Sequence, residues 1–299
     1  MADSSGTVQV GPVEIAYETF GDEGGRPLLL VMGLATQMLA WHEDLCRELV
    51  ARGFFVVRFD NRDVGLSTHQ HDAPAPDVMA ALGGDTSSAS YALEDLADDT
   101  VGLLDGLGIT GPVHVVGASM GGMIAQTVAI RHPARVASLT SIMSTPSPTL
   151  GPPTQAGMAA LFAPPATSRA EAVERALATY RVIGSPGYPL DESWLSGIAG
   201  QAYDRAYDPL GVARQLLAIH ASGDRTPGLR GLDVPTLVVH GEDDQLVQVE
   251  GGRATAAAVP GAELLVVPGM GHNLPRELWP QLVDGITALA DRAEGRRAA

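Results

Sequence analysis

Short, mostly apolar runs take turns with longer amphipathic stretches along most of this chain, and that rhythm sets the first structural expectations. Pro27 to Met32, Phe54 to Phe59, Val113 to Val116, Val136 to Ile142, the run opening at Thr236 and Leu264 to Val267 lack the strict alternation of half-exposed strands. Such runs predict strands buried on both faces. Val8 to Phe20 reads as two further short strands joined near Gly11-Pro12. Between the runs lie helical patterns over Leu39 to Arg52, Leu93 to Leu107 and Met120 to Ile130, with another beginning near Pro275. Strands and helices in alternation predict an α/β fold, a mostly parallel sheet covered by helices on both faces. Two stretches interrupt the rhythm. Ser67 to Ser90 is rich in Pro, Asp and Ser and too long for an ordinary connection, so it predicts a functional or mobile loop. From Ser144, the Pro-rich Thr145 to Pro153 leads into a helical region that lasts until Thr236; Ser168-Arg-Ala-Glu171 reads as a capping box, and Asp191 and Asp208 as further helix caps. The expected organisation is a core of residues 1–143 and 229–299 with a helical cap, 144–228, inserted after the sixth strand.

The chemistry starts at Gly117-Ala-Ser-Met-Gly121, which follows the Val113 to Val116 run and opens a helical stretch. A serine on a sharp strand-to-helix turn needs backbone angles that side chains resist, and small residues two positions before and after it. Gly117 and Gly121 supply them, so Ser119 is the expected nucleophile. A hydroxyl needs a base to take its proton and an acid to orient that base. Thr236-Leu-Val-Val-His-Gly-Glu-Asp-Asp244 ends an apolar run in a loop carrying Glu242, Asp243 and Asp244, any of which can serve as the acid. His272 follows the Leu264 to Val267 strand on the glycine-rich loop Pro268-Gly-Met-Gly-His272 and is the expected base. The order is serine, acid, histidine.

With Leu28-Leu-Leu-Val-Met-Gly33, Arg58-Phe-Asp-Asn-Arg-Asp-Val-Gly-Leu-Ser67 and Val115-Val-Gly-Ala-Ser-Met-Gly-Gly122 added, the chain resembles the α/β-hydrolases along nearly its whole length. It resembles actinobacterial serine esterases, including mycobacterial lipase/esterase-type hydrolases, and more distantly anthracycline (aclacinomycin-type) methylesterases. The likeness extends through Ile183 to Pro189 and Ala202 to Asp208. The resemblance implies an eight-stranded, mostly parallel sheet with an inserted helical cap. It selects Asp244 as the acid, with Asp243 and Glu242 as fallbacks, and implies that the backbone N–H groups of Met120 and Leu34 bind the oxyanion. Met32 stands where many relatives carry histidine. Asp60, Arg62 and Asp63 are implied to be structural, an ion pair holding their loop at the floor of the site. The activity implied is hydrolysis of a carboxylic ester through an acyl-enzyme, without a cofactor. A lipase or thioesterase, a hydrolase of polyketide esters or macrolactones, and a cofactor-free perhydrolase or C–C hydrolase share the same triad, and a non-catalytic receptor is the remaining alternative. Serine at position 119 argues against haloalkane dehalogenases and epoxide hydrolases, which use aspartate there.

Composition narrows the partners. A net charge of −16 over 299 residues opposes binding to nucleic acid or an anionic membrane and favours a neutral or cationic substrate; a small, neutral, apolar ester is the expected partner. No apolar stretch reaches the roughly 20 residues of a membrane span, and the N-terminus lacks the features of a signal peptide, so a cytoplasmic location is expected. All 19 basic residues are arginine. Cys46, the single cysteine, reads as a buried thiol in a helix. Met158, Phe162, Trp194 and Tyr203 of the cap are expected to line the substrate pocket, with Leu161, Tyr180 and Tyr207 beside them. His69 and His71 with Asp72 lie on a polar loop with no third histidine near, so no metal is expected. His114 and His240 read as structural.

Overall fold

A computed structural model describes residues 2–298 of the chain. Its strands are β1 (Ser4–Val10), β2 (Val13–Phe20), β3 (Arg26–Val31), β4 (Phe54–Phe59), β5 (Val113–Ala118), β6 (Val136–Ile142), β7 (Thr236–Gly241) and β8 (Glu263–Val267). They form one eight-stranded sheet in the order β1-β2-β4-β3-β5-β6-β7-β8. The β1–β2 and β2–β4 pairs are antiparallel, and all other pairs are parallel. The tight connection at Gly11, which holds φ at 52°, allows the first hairpin; parallel neighbours need long crossovers, which the helices supply.

The helices are α1 (Glu43–Ala51), α2 (Val78–Leu82), α3 (Leu93–Gly106), α4 (Met120–Arg131), α5 (Gln155–Leu161), α6 (Arg169–Ile183), α7 (Glu192–Arg205), α8 (Pro209–Ala221), α9 (Thr226–Leu229), α10 (Val249–Ala258) and α11 (Trp279–Ala298). Successive side chains of a strand point to opposite faces, and the core divides accordingly. Leu29, Val31, Val57 and Val115 join the layer formed by α3 and α4, whereas Leu28, Leu30, Val56 and Val116 join α1 and α11. Every residue of β4 and β5 is buried, which is why those runs show no alternation.

Local departures from the sequence reading have local causes. The helix expected over Leu39 to Arg52 is broken: Met38–Ala40 is a short 3₁₀ turn, and α1 starts only after His42, whose Nδ1 accepts from the Asp44 N–H at 2.9 Å. The 67–90 stretch contains α2, capped by Asp77, which accepts from the Ala80 N–H at 2.9 Å. Ser168 caps α6 by accepting from the Glu171 N–H at 3.3 Å. The return half of that box is shifted by one residue, because the Glu171 carboxylate accepts from the N–H and Oγ1 of Thr167, at 2.7 and 2.6 Å. Asp191 and Asp208 cap α7 and α8.

Helices α5 to α9 occupy the interval between β6 and β7, with α6 packed on α7, α8 on α2 and α3, and α9 on α4 and α10. Charged groups at the foot of this region, buried but for the partly exposed Arg205, join it to the loop after β4. Arg205 of α7 pairs with Asp60 at 2.9 Å, and Arg214 of α8 pairs with Asp63 at 2.9 Å. Tyr91 donates its hydroxyl to Asp63 as well, while Arg62 turns to Asp99 of α3 at 2.6 Å. The three loop residues thus share four partners and have none in common, two of the four lying 145 or more positions away.

Candidate active site

The turn between β5 and α4 carries Ser119 at φ 58° and ψ −122°, a left-handed conformation that costs a non-glycine residue about 1–3 kcal/mol. Neighbours hold it there. The Ser119 N–H donates to the Ile142 carbonyl at 2.9 Å, and its own carbonyl accepts from Ser144 Oγ at 2.8 Å and the Gly122 N–H at 2.9 Å. The flanking glycines are required by contact rather than by conformation: a Cβ on Gly117 would sit 2.1 Å from the Gly121 carbonyl oxygen, and one on Gly121 would sit 2.1 Å from that of Val31.

His272 reaches this turn from the loop after β8. Its Nε2 lies 2.9 Å from Ser119 Oγ and its Nδ1 lies 2.7 Å from Asp244 Oδ2. Both ends are anchored, since the His272 N–H donates to the Ile183 carbonyl at 2.7 Å, and Asp244 Oδ1 accepts from the N–H groups of Leu246 and Val247 at 2.8 and 2.9 Å. An ionised carboxylate can only accept, so the proton of a neutral His272 belongs on Nδ1, leaving Nε2 to accept from the serine. The other two acids face elsewhere. Asp243 Oδ2 accepts from the Gly269 N–H at 2.9 Å and so braces the histidine loop, and the Glu242 side chain is exposed.

His240 stands close by, its Nε2 bonded to the Val247 carbonyl at 2.7 Å and 3.7 Å from Asp244 Oδ2. Burial pushes its pKa down, which keeps it neutral and leaves His272 as the closer partner of the carboxylate. His114 is likewise buried, bonded to Ser138 Oγ and Glu294.

Gly33 lies against Ser119, so close that a Cβ there would be 2.9 Å from Ser119 Cβ. Leu34 thus follows directly on the residue that touches Ser119, and Met120 follows Ser119 as the first residue of α4. Among the described residues, neither the Leu34 nor the Met120 N–H donates to another protein atom. Two such free donors beside a serine suit an oxygen that gains negative charge.

Ser119 and His272 open onto a cavity of about 740 Å³. Met158, Phe162 and Trp194 line it, as do Leu161 and Tyr180. Tyr203 does not, contrary to the sequence expectation: its ring packs at a tilt on Tyr207, centroids 5.0 Å apart, and the Tyr207 hydroxyl accepts from the Ala166 N–H, so both rings are used inside the cap. Leu82 of the 67–90 stretch also reaches the cavity.

His69 and His71 meet Asp208 rather than Asp72. Both ring nitrogens of His69 are engaged, by Asp208 Oδ2 at 2.9 Å and the Gly65 carbonyl at 3.0 Å, and Arg214 already holds the same Asp208 oxygen at 3.1 Å. A cation there would compete with a guanidinium. Cys46 is fully buried, and burial pushes its thiol up to about 12. Arg205, Arg214 and Gln215 are the residues around the site that the sequence pattern does not single out. The signal was present for two of them, because Arg214-Gln215 interrupts an otherwise apolar run in α8.

Known proteins with sequences similar to this chain are named for ester and oxidation chemistry. The chain is 27% identical to rhodomycin D methylesterase of Streptomyces peucetius, over 92% of this chain and 94% of that protein. It is 28% identical to a non-heme haloperoxidase of Rhodococcus erythropolis, over 87% of this chain and 90% of the other. Among solved structures, a thermophilic esterase from Thermogutta terrifontis superposes with a TM-score of 0.70 at 25% identity, covering 97% of this chain and 99% of that one. No helix among the described residues is long and apolar enough to cross a membrane. The alpha/beta hydrolase fold family matches residues 26–275, spanning strands β3 to β8 and the Ser119 to His272 site, and the chain belongs to that family.

Proposed function

We propose that the chain is a serine carboxylic-ester hydrolase that works through an acyl-enzyme on Ser119. The observation that carries this reading is the unbroken line from Ser119 Oγ through His272 to Asp244 Oδ2, with gaps of 2.9 and 2.7 Å. In the first half-reaction the Ser119 oxygen attacks the ester carbonyl while His272 Nε2 takes its proton. The carbonyl oxygen becomes an oxyanion and accepts from the N–H groups of Leu34 and Met120. His272 then gives the proton to the departing alcohol. Water repeats the sequence on the acyl-enzyme, and Asp244 holds the imidazolium each time it forms. The reaction draws on no group beyond these residues and water.

The dimensions and lining of the cavity support an apolar substrate of considerable bulk, as does similarity to a protein named for rhodomycin D methyl-ester cleavage. A bulky, apolar acid esterified with a small alcohol such as methanol fits this description. Similarity to a haloperoxidase favours one second reading, in which hydrogen peroxide replaces water in the second half-reaction and a peracid leaves.

The test is hydrolysis of p-nitrophenyl esters from acetate to palmitate by the wild type and by Ser119→Ala. Turnover that falls on the order of 10⁶-fold in the variant, with unfolding temperature unchanged, is expected. An equally active Ser119→Ala protein would refute the reading. Release of peracid from an aromatic ester in the presence of peroxide distinguishes the second reading.

A further inference from the structure

The residue that follows the first oxyanion donor is held by the cap. Ala35 has φ 62°, a left-handed conformation that its methyl group resists, and it lies on the surface of the site with little packing to hold it. The Leu34–Ala35 peptide is gripped at both ends. Its carbonyl accepts from Thr36 Oγ1 at 2.9 Å, and its N–H donates to Gln215 Oε1 at 3.0 Å. Gln215 belongs to α8 of the cap, 180 positions away, and is completely buried. The other end of its amide is also committed: Nε2 donates to the Arg62 carbonyl at 2.8 Å.

We propose that Gln215 is a positioning residue for the oxyanion hole, fixing the rotation about Leu34 so that the Leu34 N–H faces the reacting carbonyl oxygen. This rests on the serine ester-hydrolase reading given above. Gly33 is pinned against Ser119 by contact, so the direction of the next N–H depends on how the chain leaves Leu34. A side chain bonded at one end only could swing with the loop. Because Gln215 is bonded to the core at Arg62, it transmits the position of the β4 loop to the β3 loop. The same connection is made a second time two residues on, where Gln37 Nε2 donates to the carbonyls of Ala202 and Ala206 in the cap and Arg205 bridges Gln37 to Asp60. The cap therefore does more than cover the substrate; it completes the geometry of an N–H donor that the core sequence supplies.

The experiment uses the full chain with Gln215→Met, which keeps length and removes both hydrogen bonds, and Gln215→Asn, which keeps the amide but withdraws it by one methylene. Active sites are titrated first, so that a loss of folded protein does not count. Then kcat and KM for the best p-nitrophenyl ester are measured beside the affinity for a trifluoromethyl ketone of matching chain, which forms an oxyanion on the serine. We expect kcat to fall about 10- to 100-fold, KM to stay within about twofold, and affinity for the ketone to fall by the same factor as kcat. A residue that merely supports the fold would lower the titrated fraction and the unfolding temperature without this split between ground state and oxyanion. Should Gln215→Met not fold, Gln215→Asn decides alone. Titrated kcat and ketone affinity within twofold of wild type would overturn this proposal while leaving ester hydrolysis intact. A wild type that hydrolyses no ester would overturn both.

Discussion

Replacing Asp244 with asparagine changes one oxygen to an amide nitrogen and should stop the enzyme by reversing a single proton. The carboxylate has two different sides: Oδ1 accepts from the N–H groups of Leu246 and Val247, and Oδ2 faces His272 Nδ1 at 2.7 Å. An asparagine must keep its oxygen toward the two backbone donors, since turning its NH₂ there would forfeit two hydrogen bonds worth about 1 kcal/mol each and set donors against donors. The NH₂ then occupies the Oδ2 position and donates to Nδ1. His272 is forced into the tautomer with its proton on Nε2, 2.9 Å from Ser119 Oγ, where it has no lone pair to accept the serine proton. For a triad with this defect the loss in kcat is about 10⁴-fold, which at about 1.36 kcal/mol per decade is about 5.5 kcal/mol of transition-state stabilisation. Folding should suffer little, because the backbone bonds remain. The assay is steady-state hydrolysis of a short p-nitrophenyl ester by Asp244→Asn beside Asp243→Asn, whose amide oxygen can still accept from Gly269 and whose activity should stay within a few-fold of wild type. A loss below tenfold in Asp244→Asn, or an equal loss in both variants, would refute the reasoning.

Three other outcomes follow from the packing and the buried groups. Gly121→Ala would force a Cβ to within 2.1 Å of the Val31 carbonyl oxygen, backbone against backbone, and should destabilise the fold by about 3 kcal/mol or more in urea titrations; a loss under 1 kcal/mol would mean the elbow is pliable. Burial lowers the pKa of His114, His220 and His240, so below about pH 6.5 the unfolded chain takes up protons that the folded chain resists. Their contribution is complete above that value and is lost as the pH falls through the folded values: the unfolding temperature should drop between about pH 7 and 5, less steeply in His114→Gln, and a flat profile would contradict the assignment. Cys46, with its thiol pushed up to about 12 and no exposed surface, should not react with a disulfide reagent in the native protein at neutral pH and should give one thiol per chain in denaturant; a reactive native thiol would show that α1 opens.

The alternation of runs and helices made the sheet readable because its central strands are buried on both faces, as β4 and β5 are throughout. Ser119 was readable for a different reason: the steric demands of the turn leave a sequence record at Gly117 and Gly121, whose side-chain positions are filled by neighbouring backbone. The acid was harder. Glu242, Asp243 and Asp244 are adjacent on one loop, and their different surroundings arise from the loop's path past Gly269 and His272, not from periodicity. The sequence does not reveal the place of Tyr203, since an aromatic residue in a cap helix packs on a neighbouring ring as readily as on a ligand. Gln215 and Arg205 escaped notice because each acts across 145 or more residues of chain, and only the folded path brings α7 and α8 onto the loops after β3 and β4.

The buried ion pairs at the foot of the cap also bear on the traffic of substrate and product. Parting Arg205 from Asp60 and Arg214 from Asp63 would break two ion pairs that tie α7 and α8 to the loop after β4, so the cap is fastened along that side. Ligands therefore pass where no such pairs must break. Leu82, Leu150, Met158 and Phe162 line the cavity and yet are 36–41% exposed, so they mark the rim where it meets solvent, between the 67–90 stretch and α5. For the ester hydrolysis proposed above, this gives an apolar threshold on one side of the cap, over which the ester would enter and from which the carboxylate product, poorly solvated there, would pass into water.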